Sequence, residues 1–193
     1  MTTVLIVPGL RDHVPGHWQT ILEARLLAQG WKVRSVAAMG RADLDCAARL
    51  QAIERAAQRV EGPLLIVAHS GGCIMVAHWA QRTMRRVAGA LLAVPPDFES
   101  PMPEGYPSLA DLASAGWLPV PRTPLPFPSL VATSSDDPLG APERVRELAQ
   151  AWGSREVPLG AVGHLNPASG FGEWPQAEEL IRELAASAPL QQA

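Results

Sequence analysis

The chain has 193 residues, 47% of them hydrophobic and 18% charged, with a formal net charge of −3 and a pI near 5.9. That length and composition suit a single globular domain, residues 1–193, able to bury a core. They exclude the basic footprint of a nucleic-acid binder and the charge of a polyacidic tail.

Cys46 and Cys73 are the only cysteines. Both lie in apolar segments far from a Cys-x-x-Cys spacing, so they read as reduced core residues rather than disulfide or zinc ligands. No apolar run approaches the roughly 18 residues of a membrane span. The start of the chain lacks the basic region of a signal peptide, so a cytoplasmic protein is expected.

Thr3–Val7 is a short apolar run ended by Pro8-Gly9, the pattern of a buried strand. Trp18, Ile21, Leu22, Ala24 and Leu26 recur near helical spacing up to Gly30. Residues 31–36 form a second strand candidate. Asp43 can cap a helix whose inner face includes Leu44, Ala47, Ile53, Ala57 and Val60, ended by Gly62-Pro63. Residues 64–68 are apolar without alternation, as in a strand covered on both faces. A helix over 71–82, a strand over 87–94 and a strand over Ser129–Thr133 follow. Pro142 suits the first turn of a helix carrying Val145, Leu148, Ala149 and Trp152. Residues 155–157 make a weak sixth strand, and a last helix begins near Pro175. This alternation predicts an α/β domain with a mostly parallel sheet of about six strands and helices on both faces. Ligands in such sheets bind beyond the carboxyl ends of the strands.

Residues 97–128 break the rhythm. They are rich in proline and show no helix or strand period. Phe98, Tyr106, Trp117 and Phe127 give them apolar surface, so the segment reads as a lid or pocket wall.

The sharpest chemical signal is Ala68-His69-Ser70-Gly71-Gly72 at the end of the third strand. It matches the Gly-x-Ser-x-Gly turn that presents a nucleophilic serine between strand and helix, with Ala68 in place of the first glycine. A phosphate loop would want lysine after the glycines, and Cys73 stands there instead. The N–H of Gly71, at the positive end of the following helix, is a candidate oxyanion donor.

A serine needs a base. His164, in Val162-Gly163-His164-Leu165-Asn166, is the downstream histidine at a strand-end loop. His78 lies roughly 12 Å along the helix from Ser70, too far for a hydrogen bond. His69 should point away from Ser70 and pack below the turn. The acid should leave a strand between serine and histidine, and Ser134-Ser135-Asp136-Asp137-Pro138 supplies two candidates that spacing does not separate. The loop Pro8-Gly9-Leu10-Arg11 supplies the second oxyanion donor, with the Leu10 N–H preferred. Arg11, His17, Trp18 and Trp117 are candidate pocket residues; His13 stands nearby in sequence.

Together, Val7-Pro8-Gly9-Leu10, Gly16-His17-Trp18-Gln19, Ala68-His69-Ser70-Gly71-Gly72, Ser134-Ser135-Asp136-Asp137-Pro138, Gly163-His164 and Ser169-Gly170-Phe171-Gly172-Glu173-Trp174-Pro175 resemble the retinoblastoma-binding-protein-9-type small serine hydrolases, in their bacterial branch. The resemblance runs over nearly the whole chain. It implies a compact α/β-hydrolase with no added domain, and it favours Asp137 over Asp136 as the acid. It also implies hydrolysis of ester or amide bonds of a small-molecule substrate, in the manner of a carboxylesterase, through Ser70, His164 and Asp137. No metal or organic cofactor, nucleic acid or membrane is expected to take part. The competing reading is a non-catalytic binding module on the same fold.

Overall fold

A computed structural model describes residues 2–11, 14–40 and 42–187. His13 lies outside them. Among the described residues the strands are β1 (Thr3–Val7), β2 (Lys32–Ser35), β3 (Leu64–His69), β4 (Val87–Ala93), β5 (Ser129–Thr133) and β6 (Arg155–Pro158). The helices are α1 (Trp18–Ala28), α2 (Cys46–Gln58), α3 (Gly71–Ala80), α4 (Leu109–Ser114), α5 (Pro142–Ala151) and α6 (Pro175–Ser187). The strands form one sheet in the order β2-β1-β3-β4-β5-β6, and every neighbouring pair is parallel.

The two-residue period of a strand divides the core between two faces. Leu5 and Val7 of β1 and Leu64, Ile66 and Ala68 of β3 face α2, α3 and α5. Val4, Ile6, Leu65 and Val67 face α1 and α6. A strand buried on both sides needs apolar residues at every position, which is why β1 and β3 read as unbroken apolar runs.

Two local expectations are corrected. Asp45, not Asp43, caps α2: its carboxylate accepts from the Ala48 N–H at 3.1 Å, while Asp43 accepts from the Asp45 N–H. The helix consequently buries Cys46, Leu50, Ile53 and Ala57, and leaves Ala47 exposed. Segment 97–128 also contains a helix, α4, opened by a capping box. Ser108 Oγ accepts from the Asp111 N–H, and Asp111 Oδ2 accepts from the Ser108 N–H. The Ser-x-x-Asp signal was in the sequence, but a six-residue helix is too short to show a period.

The strand order decides where a ligand can sit. From β1 the chain steps outward to β2, then crosses back over β1 to β3 and continues to β6. The loops leaving β1 and β3 therefore part in opposite directions, and a crevice opens at their carboxyl ends.

Candidate active site

Ser70 is the residue between β3 and α3, with φ 55° and ψ −131°. A non-glycine residue with positive φ is strained by roughly 1–3 kcal/mol and must be held there by its surroundings. The hold is visible: the Ser70 N–H donates to the Ala93 carbonyl, and the Ser70 carbonyl accepts from the Cys73 N–H. The turn needs glycine two residues on. A Cβ on Gly72 would lie 2.7 Å from the carbonyl oxygens of both Val7 and Pro8. Ser70 Oγ caps nothing in α3. It lies 2.7 Å from His164 Nε2 instead.

His164 Nδ1 lies 2.8 Å from Asp137 Oδ2. A carboxylate only accepts, so the ring proton sits on Nδ1 and the Nε2 lone pair faces the serine hydroxyl. Asp137 is enclosed, its side chain 1% exposed, and its other oxygen accepts from the Leu139 N–H at 2.9 Å. Asp136 has a different task. It accepts from the Gly163 N–H at 2.7 Å and the Ser134 hydroxyl at 2.9 Å, tying the loop after β5 to the loop carrying His164. Those bonds hold its carboxyl below the ordinary carboxylate range. The two aspartates part in space: Asp137 meets the histidine ring and Asp136 does not.

The His164 backbone is pinned from both sides. Its N–H donates to Ser169 Oγ at 3.0 Å, and its carbonyl accepts from His69 Nε2 at 2.9 Å. Ser169 packs so closely that a Cβ on Gly163 would lie 2.5 Å from its Cβ. His69 is buried, and burial, together with the neighbouring His164 and His17 rings, holds its pKa well below that of a free imidazole. It stays neutral and serves as a hydrogen-bond donor, the packing role its position below the turn suggests.

Leu10 and Gly71 face one another across the crevice: a Cβ on Gly71 would lie 3.0 Å from Leu10 Cγ. Neither N–H has a backbone acceptor among the described residues. Around Ser70 opens a cavity of about 280 Å³. Leu10, Arg11 and His17 line it, as do Phe98, Met102 and Tyr106 from segment 97–128. His17 also caps α1, its Nδ1 accepting from the Gln19 N–H at 3.2 Å.

Trp18 and Trp117 do not line this cavity, which corrects their reading as pocket residues. Trp18 is 1% exposed and packs edge-on against Trp174, behind His69. Trp117 is fully buried, its Nε1–H donating to the Leu44 carbonyl and its ring edge-on to Phe98. Both indoles are large apolar groups on inward-facing positions, and the core claims them.

Gln19 was not singled out as a site residue. It is 2% exposed, and its Nε2 donates to the carbonyls of both Val7 and Val67 at 3.1 Å. It thereby ties the last residue of β1 to the C-terminal half of β3, the two strands whose loops make the crevice. A lone polar residue on the inner face of α1 is the only sequence trace of this.

A model of the serine hydrolase family matches residues 4–183. The chain belongs to the serine hydrolase family. No curated protein sequence matches it. Among solved structures, this serine hydrolase is similar to a YdeN-like hydrolase from Pectobacterium atrosepticum, with 29% identity and a TM-score of 0.78, covering 98% of this chain and 94% of the other. The ydeN gene product of B. subtilis aligns at 18% identity and TM-score 0.75, over 96% of this chain and all of that one. Est1E from Butyrivibrio proteoclasticus, solved with ferulic acid, aligns at 13% identity and TM-score 0.72, over 96% and 90% of the two chains. At such identities the last two likenesses concern the fold, which is the single-domain α/β-hydrolase fold.

Proposed function

We propose that this serine hydrolase cleaves ester or amide bonds of small substrates through an acyl-enzyme on Ser70, with His164 as general base and Asp137 as the group that orients it. The observation that carries the reading is the continuous bond path from Ser70 Oγ to His164 Nε2 at 2.7 Å and from His164 Nδ1 to Asp137 Oδ2 at 2.8 Å.

The steps follow from that path. Ser70 Oγ attacks the substrate carbonyl as its proton passes to His164 Nε2, leaving a tetrahedral oxyanion. The N–H groups of Leu10 and Gly71 bind the oxyanion, in a site where apolar walls raise the value of each donor. The imidazolium, stabilised by Asp137, returns its proton to the departing alcohol. A water then repeats the sequence, with His164 as base, and releases the acid. Residues 97–128 act as pocket wall and lid in this reading, supported by the five of them, Phe98, Met102, Gly105, Tyr106 and Pro107, that line the cavity. The small cavity favours short acyl groups. A cytoplasmic setting fits the two buried, unpaired cysteines.

The test is labelling by a fluorophosphonate probe on folded wild type, Ser70→Ala and His164→Ala. Labelling of the wild type alone is expected. An unlabelled, folded wild type overturns the assignment. In ester turnover, Ser70→Ala and His164→Ala are each expected to lower kcat by roughly 10⁴- to 10⁶-fold, because the members act as a unit.

A further inference from the structure

The cavity beside Ser70 carries one permanent charge among its described lining residues. Arg11 supplies it, and no Asp or Glu joins it there. The other walls are mostly apolar, with Leu10, Phe98, Met102 and Leu139 among them. No carboxylate among the described residues pairs with Arg11. Its guanidinium lies over the Tyr106 ring, 4.5 Å from the centroid. Stacking on an aromatic face orients a guanidinium but leaves its in-plane N–H donors available. Arg11 also follows Leu10 directly in the chain, so the cation stands next to the loop whose N–H is the proposed oxyanion donor.

An exposed guanidinium with unspent donors, stacked on Tyr106 at the edge of a small, mostly apolar cavity beside the nucleophile, matches one ligand chemistry well. A carboxylate accepts two parallel N–H bonds from a guanidinium, a pairing stronger and more directional than a neutral hydrogen bond. We propose that Arg11 makes this enzyme selective for small esters bearing a carboxylate, which the guanidinium binds while Ser70 attacks the ester carbonyl. The proposal rests on the reading of Ser70, His164 and Asp137 given above. The carboxylate belongs to the acyl group or to the alcohol, and the experiment tells these apart.

The test compares kcat/KM for two ester pairs on the full chain, wild type and Arg11→Gln. Monomethyl glutarate is set against its neutral isostere, with isopropyl in place of the carboxylate, to probe the acyl side. The acetate ester of p-hydroxybenzoate is set against p-isopropylphenyl acetate to probe the alcohol side. In one of the pairs the carboxylate-to-neutral ratio should fall by about ten-fold or more in Arg11→Gln, the worth of a charged hydrogen bond. Arg11→Lys should lie between the two. Equal ratios in wild type and Arg11→Gln for both pairs overturn the proposal. Protection of Ser70 from the fluorophosphonate by free glutarate is a second readout that needs no turnover. Protection should be weaker in Arg11→Gln, and equal protection again overturns the proposal. A wild type that takes no fluorophosphonate label defeats the Ser70 assignment instead, so the two failures are distinct.

Discussion

Ser70 sits where an L-residue is uncomfortable, at φ 55°. Relief of that strain should appear as stability. Ser70→Gly is expected to be more stable than Ser70→Ala by about 1 kcal/mol, both being inactive, because glycine accepts positive φ without a Cβ penalty. Urea denaturation of the two variants measures this, and equal midpoints would show that the turn is unstrained. Gly72 is the opposite case. Its missing Cβ leaves room for two carbonyl oxygens of the β1 end, so Gly72→Ala should cost about 1–3 kcal/mol and displace the Leu10 loop as well. Lost ester turnover in a Gly72→Ala protein that still folds is the expected signature. The Ala68-His69-Ser70-Gly71-Gly72 motif was legible because a tight turn admits so few residue types. Asp137 was not separable from Asp136 by spacing, since one residue of loop rotation decides which carboxylate reaches His164.

Among the elements, segment 97–128 departs furthest from what its sequence shows. It reads as proline-rich and structureless, yet Phe98, Leu112, Trp117, Val120, Leu125 and Phe127 join the core on the α2, α3 and α5 face. Trp117 anchors it from below. His78 Nε2 donates to the Trp117 carbonyl at 3.0 Å, and the indole reaches Leu44. Trp117→Ala is therefore expected to cost about 3–5 kcal/mol of stability, as a buried aromatic deletion does. Thermal or urea unfolding checks this, and a loss of turnover without loss of stability would return Trp117 to the pocket. A second tie joins α1 to α6. Glu178 accepts from Gln29 at 2.8 Å, from Arg25 at 2.6 Å and from Arg182 at 3.0 Å. Those bonds hold its carboxyl below its ordinary range, the Gln29 bond most, against the opposing effect of burial. Glu178→Ala should destabilise by about 1–3 kcal/mol, measured at neutral pH, because the bonds are made to the ionised group.

At the scale of the whole molecule these groups set an acid limit. His69 has a folded pKa well below the ordinary 6.5, so in acid the unfolded chain binds a proton that the folded chain refuses. Stability therefore falls as pH drops below about 6.5, by up to ~1.4 kcal/mol per pH unit. Glu178 and Asp97 have folded pKa values below 4.5 and 3.8. For Asp97, burial raises the pKa, and the bonds from Arg144, Ser100 and the Glu99 N–H outweigh it. Their contributions are present above those values and are lost as pH falls through the lower, folded ones. A urea midpoint measured from about pH 8 down to about pH 2 should decline in two stages, the first below the histidine value and the second below the carboxylate values, and a folded His69→Gln protein should lack its part of the first.

By itself the sequence determined the order and type of the main elements and the parallel sheet, and it singled out Ser70 and His164 as candidates, because unbroken apolar runs and tight-turn residues are local signals. Only the tertiary structure decided which aspartate meets His164, that Gln19 ties β1 to β3, and that Trp18 and Trp117 belong to the core. Those outcomes depend on residues far apart in the chain competing for the same space. The cavity beside Arg11 is of the same kind: it exists because the strand order reverses between β1 and β3, and no single stretch of sequence encodes that reversal.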